Sequence, residues 1–288
     1  MRKKKWLGIL IAVIMLFGCG AIFVYVSFNG TSWGKKKYAR IFEKHLNAKY
    51  SETIIIKDTF YNFKSGQYEA RAYPKINKEY EFSIYPVYGK RNRYYDDYVP
   101  VRWQKEAEKE IQKDIQEVFP KSDYSVFIDV EENIKGEIPR YSDIRPQGDL
   151  LISVHKKELI DQEYERAYLI VKRLQDQKIY NLDIDLFYDD MSIEAIFTHI
   201  VVRAKDLTKI QSPCHVQYYS LLRQKEEMEQ MLKEEIENIP EIAKLNHTTP
   251  EQIEKDFAEN FRQQEKVIKE FEKALQRACY FTNLENGE

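Results

Sequence analysis

"YYDDYVPVRW", residues 94–103, is the stretch in which the chain must change from strand to helix. Tyr94 and Tyr95 suit a half-buried pleated surface. Pro100 holds a helix-compatible φ and disfavours helical geometry at Val99, so a helix is expected to begin at the proline and run to about Phe119. Its inward residues are Val101, Ile111, Ile115 and Val118, with Trp103 at its start. Asp96 and Asp97 then fall between strand and helix, where carboxylates satisfy loose N–H groups and complement the positive end of the helix dipole. The competing reading, a catalytic carboxylate pair, needs another acid or base converging from elsewhere, and the neighbouring sequence nominates none.

Upstream of this junction, "GKKKYARIFEKHLNAKY" (34–50) carries Tyr38, Ile41, Phe42, Leu46 and Tyr50 at helical spacing. Three strand-like runs follow. Thr53 to Phe63 is β-branched and aromatic, "KSG" at 64–66 supplies a turn, and Gln67 to Tyr73 returns. After a break at Pro74 to Asn77, Tyr80 to Val87 alternates, with Tyr80, Phe82 and Ile84 on one face and Glu81 and Ser83 on the other.

Downstream, Tyr124 to Val130 resumes strand alternation before "EENIKGEIPRYSDIRPQG" (131–148), a Pro- and Gly-punctuated connector. Then come a strand at Leu150 to His155, a helix from Leu159 to Gln177, and a strand pair at Asn181 to Tyr188 and Glu194 to Arg203, turned at "DDMS". From Tyr218 the chain turns helical, with one stripe through Leu221, Leu222, Met228, Met231, Leu232 and Ile236. Ile253, Phe257, Phe261, Ile268, Phe271 and Leu275 form a second stripe. Thr249, Pro250 and Gln252 open the second helix as a capping box. The expected class is α+β: a transmembrane helix at 6–28, a helix-plus-antiparallel-meander domain at 35–133, a small α+β unit at 147–210 and a helical hairpin at 216–281.

The membrane expectation rests on "WLGILIAVIMLFGCGAIFVYVSF", residues 6–28, which holds no charge across 23 residues. At 1.5 Å per residue it outreaches the roughly 30 Å hydrocarbon core of a bilayer. A cleaved signal has a shorter apolar region, and this run does not stop for one. "LFGC" at 16–19 resembles a lipobox with Cys19 as the acylated residue, but "AIFVYVSF" after it is too apolar for a mature lipoprotein start, so the uncleaved single-pass helix is favoured. Basic residues flank both sides. Arg2 to Lys5 abut the run, whereas Lys35, Lys36, Lys37 and Arg40 stand off from it, which favours a cytoplasmic N-terminus and an extracytoplasmic body. A body on the cytoplasmic side is the reverse alternative.

Composition narrows the partner. The 288 residues carry a net −2, and setting aside Arg2 to Lys5 leaves 41 basic against 47 acidic residues, a net −6. Such a body is a poor match for phosphate backbones, so nucleic acid is not expected. The 21 Tyr and 15 Phe suit a sheet surface, and Tyr94, Tyr95 and Tyr98 are candidate contacts for a glycan or peptide. Three cysteines make no disulfide framework; Cys214 with Cys279 is a minority pairing.

Asp183, Asp185, Asp189, Asp190 and Glu194 in "DIDLFYDDMSIE" invite a calcium-loop comparison, but Tyr188 stands where the sharp turn needs glycine and Phe187 where an oxygen ligand belongs. "SVHK" (153–156) matches S-x-x-K without the accompanying S-D-N and K-T-G elements. His45, His155, His199, His215 and His247 are scattered, without zinc spacing. No residue is therefore assigned a catalytic, cofactor-binding or metal-binding role, and no oligomeric state follows.

"NGTSWGKKKY" after the apolar run, "YNFKSGQYEARAYPK", and "DDY" ahead of a Trp-containing helix resemble the YfjL-like membrane-anchored proteins of Gram-positive bacteria. The resemblance is best over residues 33–119 and looser beyond. It implies a bacterial, membrane-tethered α+β protein of the cell membrane and no activity. The expected role is non-catalytic binding of an envelope protein or glycan; the alternative is an envelope enzyme or cation-dependent protein using Asp183, Asp185, Asp189 or Asp190.

Overall fold

A computed structural model of the chain describes residues 15–17, 20, 21, 23–130, 134–155, 160–188 and 199–285. Most of the expected span lies outside them (6–14, 18, 19 and 22), and among the described residues no helix is long and apolar enough to cross a membrane. Residues 23–29 are helical.

The described chain is mixed α+β, with one four-stranded sheet in each of two compact units. The units interleave along the sequence: the first holds residues up to 106 together with 130–144, the second 107–129 together with 145 onward.

In the first unit, helix α1 (Ser32–Lys49) starts where the Oγ1 of Thr31 accepts the Gly34 N–H at 2.9 Å. It turns Phe42 and Leu46 inward against an antiparallel meander of β1 (Ile54–Asn62), β2 (Gln67–Pro74), β3 (Phe82–Pro86) and β4 (Tyr94–Asp96). The turn after β1 closes as expected, with Gly66 at φ +68 donating its N–H to Asn62 O. Ile54, Ala70, Ala72, Phe82 and Ile84 line the buried face, each large side chain contributing roughly 1.5–3 kcal/mol of burial.

Helix α2 (Tyr98–Val118) begins two residues before the expected start. Pro100 is its third residue, inside the first turn, where the missing N–H costs no intrahelical bond. The unfavourable pre-proline geometry at Val99 is offset by burial, since Tyr98 and Val99 are both core. The connector then folds back on this unit: Gly136 exchanges backbone hydrogen bonds with Lys49 and Ser51, and Trp103 Nε1 donates to Pro139 O at 2.9 Å. Short helix α3 (Tyr141–Ile144) follows.

The second unit is built on β5 (Ser122–Ile128), β6 (Gly148–Val154), β7 (Leu182–Tyr188) and β8 (Ile200–Val202), in that spatial order. β5 and β6 are antiparallel, β6 and β7 parallel across helix α4 (Ile160–Asp176), and β7 and β8 antiparallel. β5 therefore joins the second sheet, whereas the reading of 35–133 as one domain grouped it with the first. Gly148 permits that pairing at the start of β6, because a Cβ there would strike Phe127 O.

Helices α5 (Pro213–Leu245) and α6 (Pro250–Glu285) form the expected hairpin, opened at its turn by Thr249 accepting the Gln252 N–H. The hairpin is not separate from the 147–210 region. Val201 N–H donates to Ser220 Oγ at 3.1 Å, and Gln224 Nε2 donates to His199 O at 2.6 Å. The side chain of Cys279 lies outside the described residues, and Cys214 is half-buried at the start of α5.

Candidate functional site

The junction at Asp96 and Asp97 is not a simple helix cap. The Asp96 side chain is fully buried and accepts from Lys49 Nζ at 2.7 Å and from Tyr50 Oη at 2.6 Å. Burial and the Asp96 carboxylate together drive the Tyr50 hydroxyl well above the usual tyrosine range. Asp97 turns the other way: its Oδ1 accepts the Ser83 N–H at 2.5 Å, while its own carbonyl accepts the Val101 N–H and so starts α2. Burial holds the Asp97 carboxyl above the ordinary carboxylate range. The pair thus pins the end of α1 to β4 and continues the β3–β4 pairing.

Beside this hub lies a cleft of about 830 Å³, bounded by the second half of α1, β4, loop 87–93 and residues 130, 134 and 135. That size falls within the roughly 300–1,000 Å³ typical of small-ligand sites. Tyr85 and Tyr95 face each other across β3 and β4 with ring centroids 5.2 Å apart. His45 packs edge-on against Tyr94 at 5.1 Å, and burial lowers its pKa, so it is neutral at neutral pH. Lys90, Arg93 and Lys135 also line the cleft, and none has a carboxylate partner among the described residues. Asp96 is the acid of the lining, already engaged by Lys49 and Tyr50. Among the described residues the surface thus combines aromatic faces with positive charge that no carboxylate pairs.

Of the tyrosines singled out in sequence, Tyr94 and Tyr95 line this cleft, whereas Tyr98 is core, its hydroxyl donating to Glu52 at 2.6 Å. The cations of "VYGKRNR" (87–93) were not among the candidates. Their signal was present, a basic and aromatic loop between two short strands, but the cleft is completed by α1 and by Lys135, both remote in sequence.

The second candidate cluster is described only in part, because Asp189, Asp190 and Glu194 lie outside the described residues. Asp183 is structural: it accepts Arg203 Nη1 at 2.9 Å and the Ala204 N–H at 2.7 Å, fixing the exit from β8. Asp185 is pushed up to about 6 by burial, then by Asp149 and Asp183. His199, its pKa lowered by burial, comes within 4.0 Å of Asp185, too far for a hydrogen bond, and stacks on Phe187. Among the described residues no group of His, Cys, Asp and Glu is placed to hold a metal ion. Ser153 of "SVHK" lies inside β6 rather than at a helix start, and Lys156 is outside the described residues.

Residues 3–96 match the family model described as YfjL-like, N-terminal domain, so the resemblance seen in sequence is shown for this part of the chain. No curated protein matches. Among solved structures, a DUF5037 family protein from Ruminococcus gnavus ATCC 29149 is similar at 16% identity over 59% of this chain and 83% of its own, with a TM-score of 0.32. At that TM-score the likeness supports no statement about chemistry.

Proposed function

We propose that this is a single-pass bacterial membrane protein whose α+β body stands outside the cytoplasm and binds an anionic glycan of the envelope without chemical turnover. The cleft beside Asp96 is its binding site, and the carrying observation is the convergence of Lys90, Arg93 and Lys135 on a wall of tyrosine rings. Sugar rings lie on aromatic faces, and carboxylate or phosphate groups are held by charge-assisted hydrogen bonds from Arg and Lys. The tether is the apolar run at 6–28.

Two measurements test this. Full-length protein in bacterial membranes should resist alkaline carbonate extraction, and a cysteine at exposed Glu79 should react with a membrane-impermeant maleimide in intact cells. Labelling only after lysis would reverse the orientation. An acidic probe, a short oligogalacturonide, should bind the full chain in detergent, while a neutral cello-oligosaccharide should not. Losing a charged hydrogen bond costs about 1.5–3 kcal/mol, so Arg93→Ala with Lys135→Ala should weaken the acidic probe at least about tenfold. Equal binding of the two probes would sink the assignment.

One observation favours a second reading, the elevated Asp185 carboxyl, poised where proton transfer at neutral pH is effective. An envelope enzyme or cation-dependent protein would then use Asp183, Asp185, Asp189 or Asp190. Calcium-dependent thermal stabilisation that disappears in Asp189→Ala supports it; no response to calcium weighs against the cation form.

A further inference from the structure

The first sheet has one end where aromatic and basic side chains gather. β1 and β2 close at Asn62↔Gln67, so turn 62–66 marks that end. β3 runs antiparallel to β2 through Ala70↔Ile84, so loop 87–93 leaves the sheet at the same end. The chain also enters there. Thr31 N–H donates to Tyr68 Oη at 2.8 Å, and the Phe28 ring packs 5.3 Å from Phe63. Phe28 is the last residue of the apolar run 6–28, so a span through it delivers this end of the sheet to the bilayer surface.

The exposed side chains suit that position. Trp33 is 72% exposed, Phe63 54% and Tyr88 87%, so large aromatic groups gather in the open at this end of the sheet. Lys36, Lys64 and Arg91 accompany them, all exposed, and Lys37 Nζ sits 5.2 Å over the Trp33 ring. The nearby Glu69 carboxylate is already taken by Asn62 Nδ2 at 2.8 Å and by Ser65. Arg91 is not a lining residue of the cleft but Tyr88 is, so this surface and the ligand site adjoin at Tyr88.

We infer that this sheet end is a second membrane contact, resting on the headgroup layer of an anionic bilayer through Trp33, Phe63 and Tyr88, with Lys36, Lys64 and Arg91 against lipid phosphates. Trp and Tyr favour the interface between hydrocarbon and water, and clustered Lys and Arg are drawn to anionic lipid. The inference rests on residues 6–28 being a tether. It adds that the first unit lies against the membrane in a set orientation rather than swinging freely on a stalk.

The test uses full-length protein carrying Trp6→Phe and Trp33→Phe, reconstituted into vesicles of phosphatidylglycerol and phosphatidylcholine. Buried Trp103 is then the reference fluorophore. Phe63→Trp and, separately, Tyr88→Trp are added to this background, with phospholipid brominated near the top of the acyl chain as quencher. Both reporters should lose emission well beyond the Trp103 reference. Adding Lys36→Glu, Lys64→Glu and Arg91→Glu should restore much of that emission in anionic vesicles. Reporters quenched no more than Trp103, in protein that still resists carbonate extraction, would overturn the inference while leaving the tether intact. Release by carbonate would remove the tether, and the surface contact with it.

Discussion

Asp96 and Asp97 are adjacent and chemically identical, yet burial and partners give them different work. Removing the Asp96 charge strands Lys49 and the Tyr50 hydroxyl. Breaking a buried pair from one side costs about 3–5 kcal/mol, and Lys49 keeps some solvent, so Asp96→Asn is expected to lose roughly 2–4 kcal/mol in urea unfolding. Asp97→Ala loses one backbone hydrogen bond and should cost less, about 1–2 kcal/mol. The same measurement on Asp185 has the opposite sign. Its folded pKa, about 6, lies above the unfolded value, so the folded state binds the extra proton between roughly pH 4 and 6 and stability falls as pH rises through that window. Asp185→Asn should therefore stabilise the protein by roughly 2 kcal/mol at pH 7 and by little at pH 4. An Asp185→Asn protein less stable at pH 7 would mean that the charge is compensated by a partner, with Arg203, whose positive charge opposes the upward shift, the candidate. None of these roles was readable locally, because Ser83 stands 14 residues and Lys49 47 residues from the aspartate each one meets.

At the level of elements, the strands and helices were largely legible because their periodicities are strong, and the failures occur where packing overrides a local rule. Tyr98 and Val99 enter α2 ahead of the proline, both buried, and β5 pairs with β6 along its whole length, with Gly148 leaving room for Phe127 O. Gly34 provides a sharp check on such packing. Alanine in a helix normally gains up to about 1 kcal/mol over glycine, but a Cβ at Gly34 would run into the Tyr68 ring and hydroxyl. Gly34→Ala should thus destabilise by about 1–3 kcal/mol, and in a Tyr68→Leu background it should become neutral or stabilising. In the hairpin only part of each apolar stripe is buried: Ile239, Ala243 and Ile253 form a small cluster, while Met231, Ile236 and Phe257 stay exposed. Truncating Ile253 to alanine should cost about 2–4 kcal/mol locally, seen as faster amide exchange around Ile239 and Ala243 with β6 and β7 unaffected.

For the molecule as a whole, the α+β class could be inferred from apolar patterning, but the cleft could not, since its walls come from three separated stretches that meet only when the first unit closes. Ligand binding there should register in that unit. At an oligogalacturonide concentration of about 100 Kd, linkage predicts a gain of about 2.7 kcal/mol, read from Trp103 fluorescence during urea unfolding. No gain at saturating probe would place binding elsewhere. The interleaved division of the chain has a further effect on biogenesis. Strand β5 emerges from the ribosome before residues 130–144, which the first unit needs, yet its own partner β6 comes only after them. The first unit therefore cannot finish without looping out an unpaired strand, and that strand stays an open edge until residue 154 has been made. If the body is exported, both units cross the membrane unfinished and mature together on the far side, with β5 as the segment most in need of a chaperone.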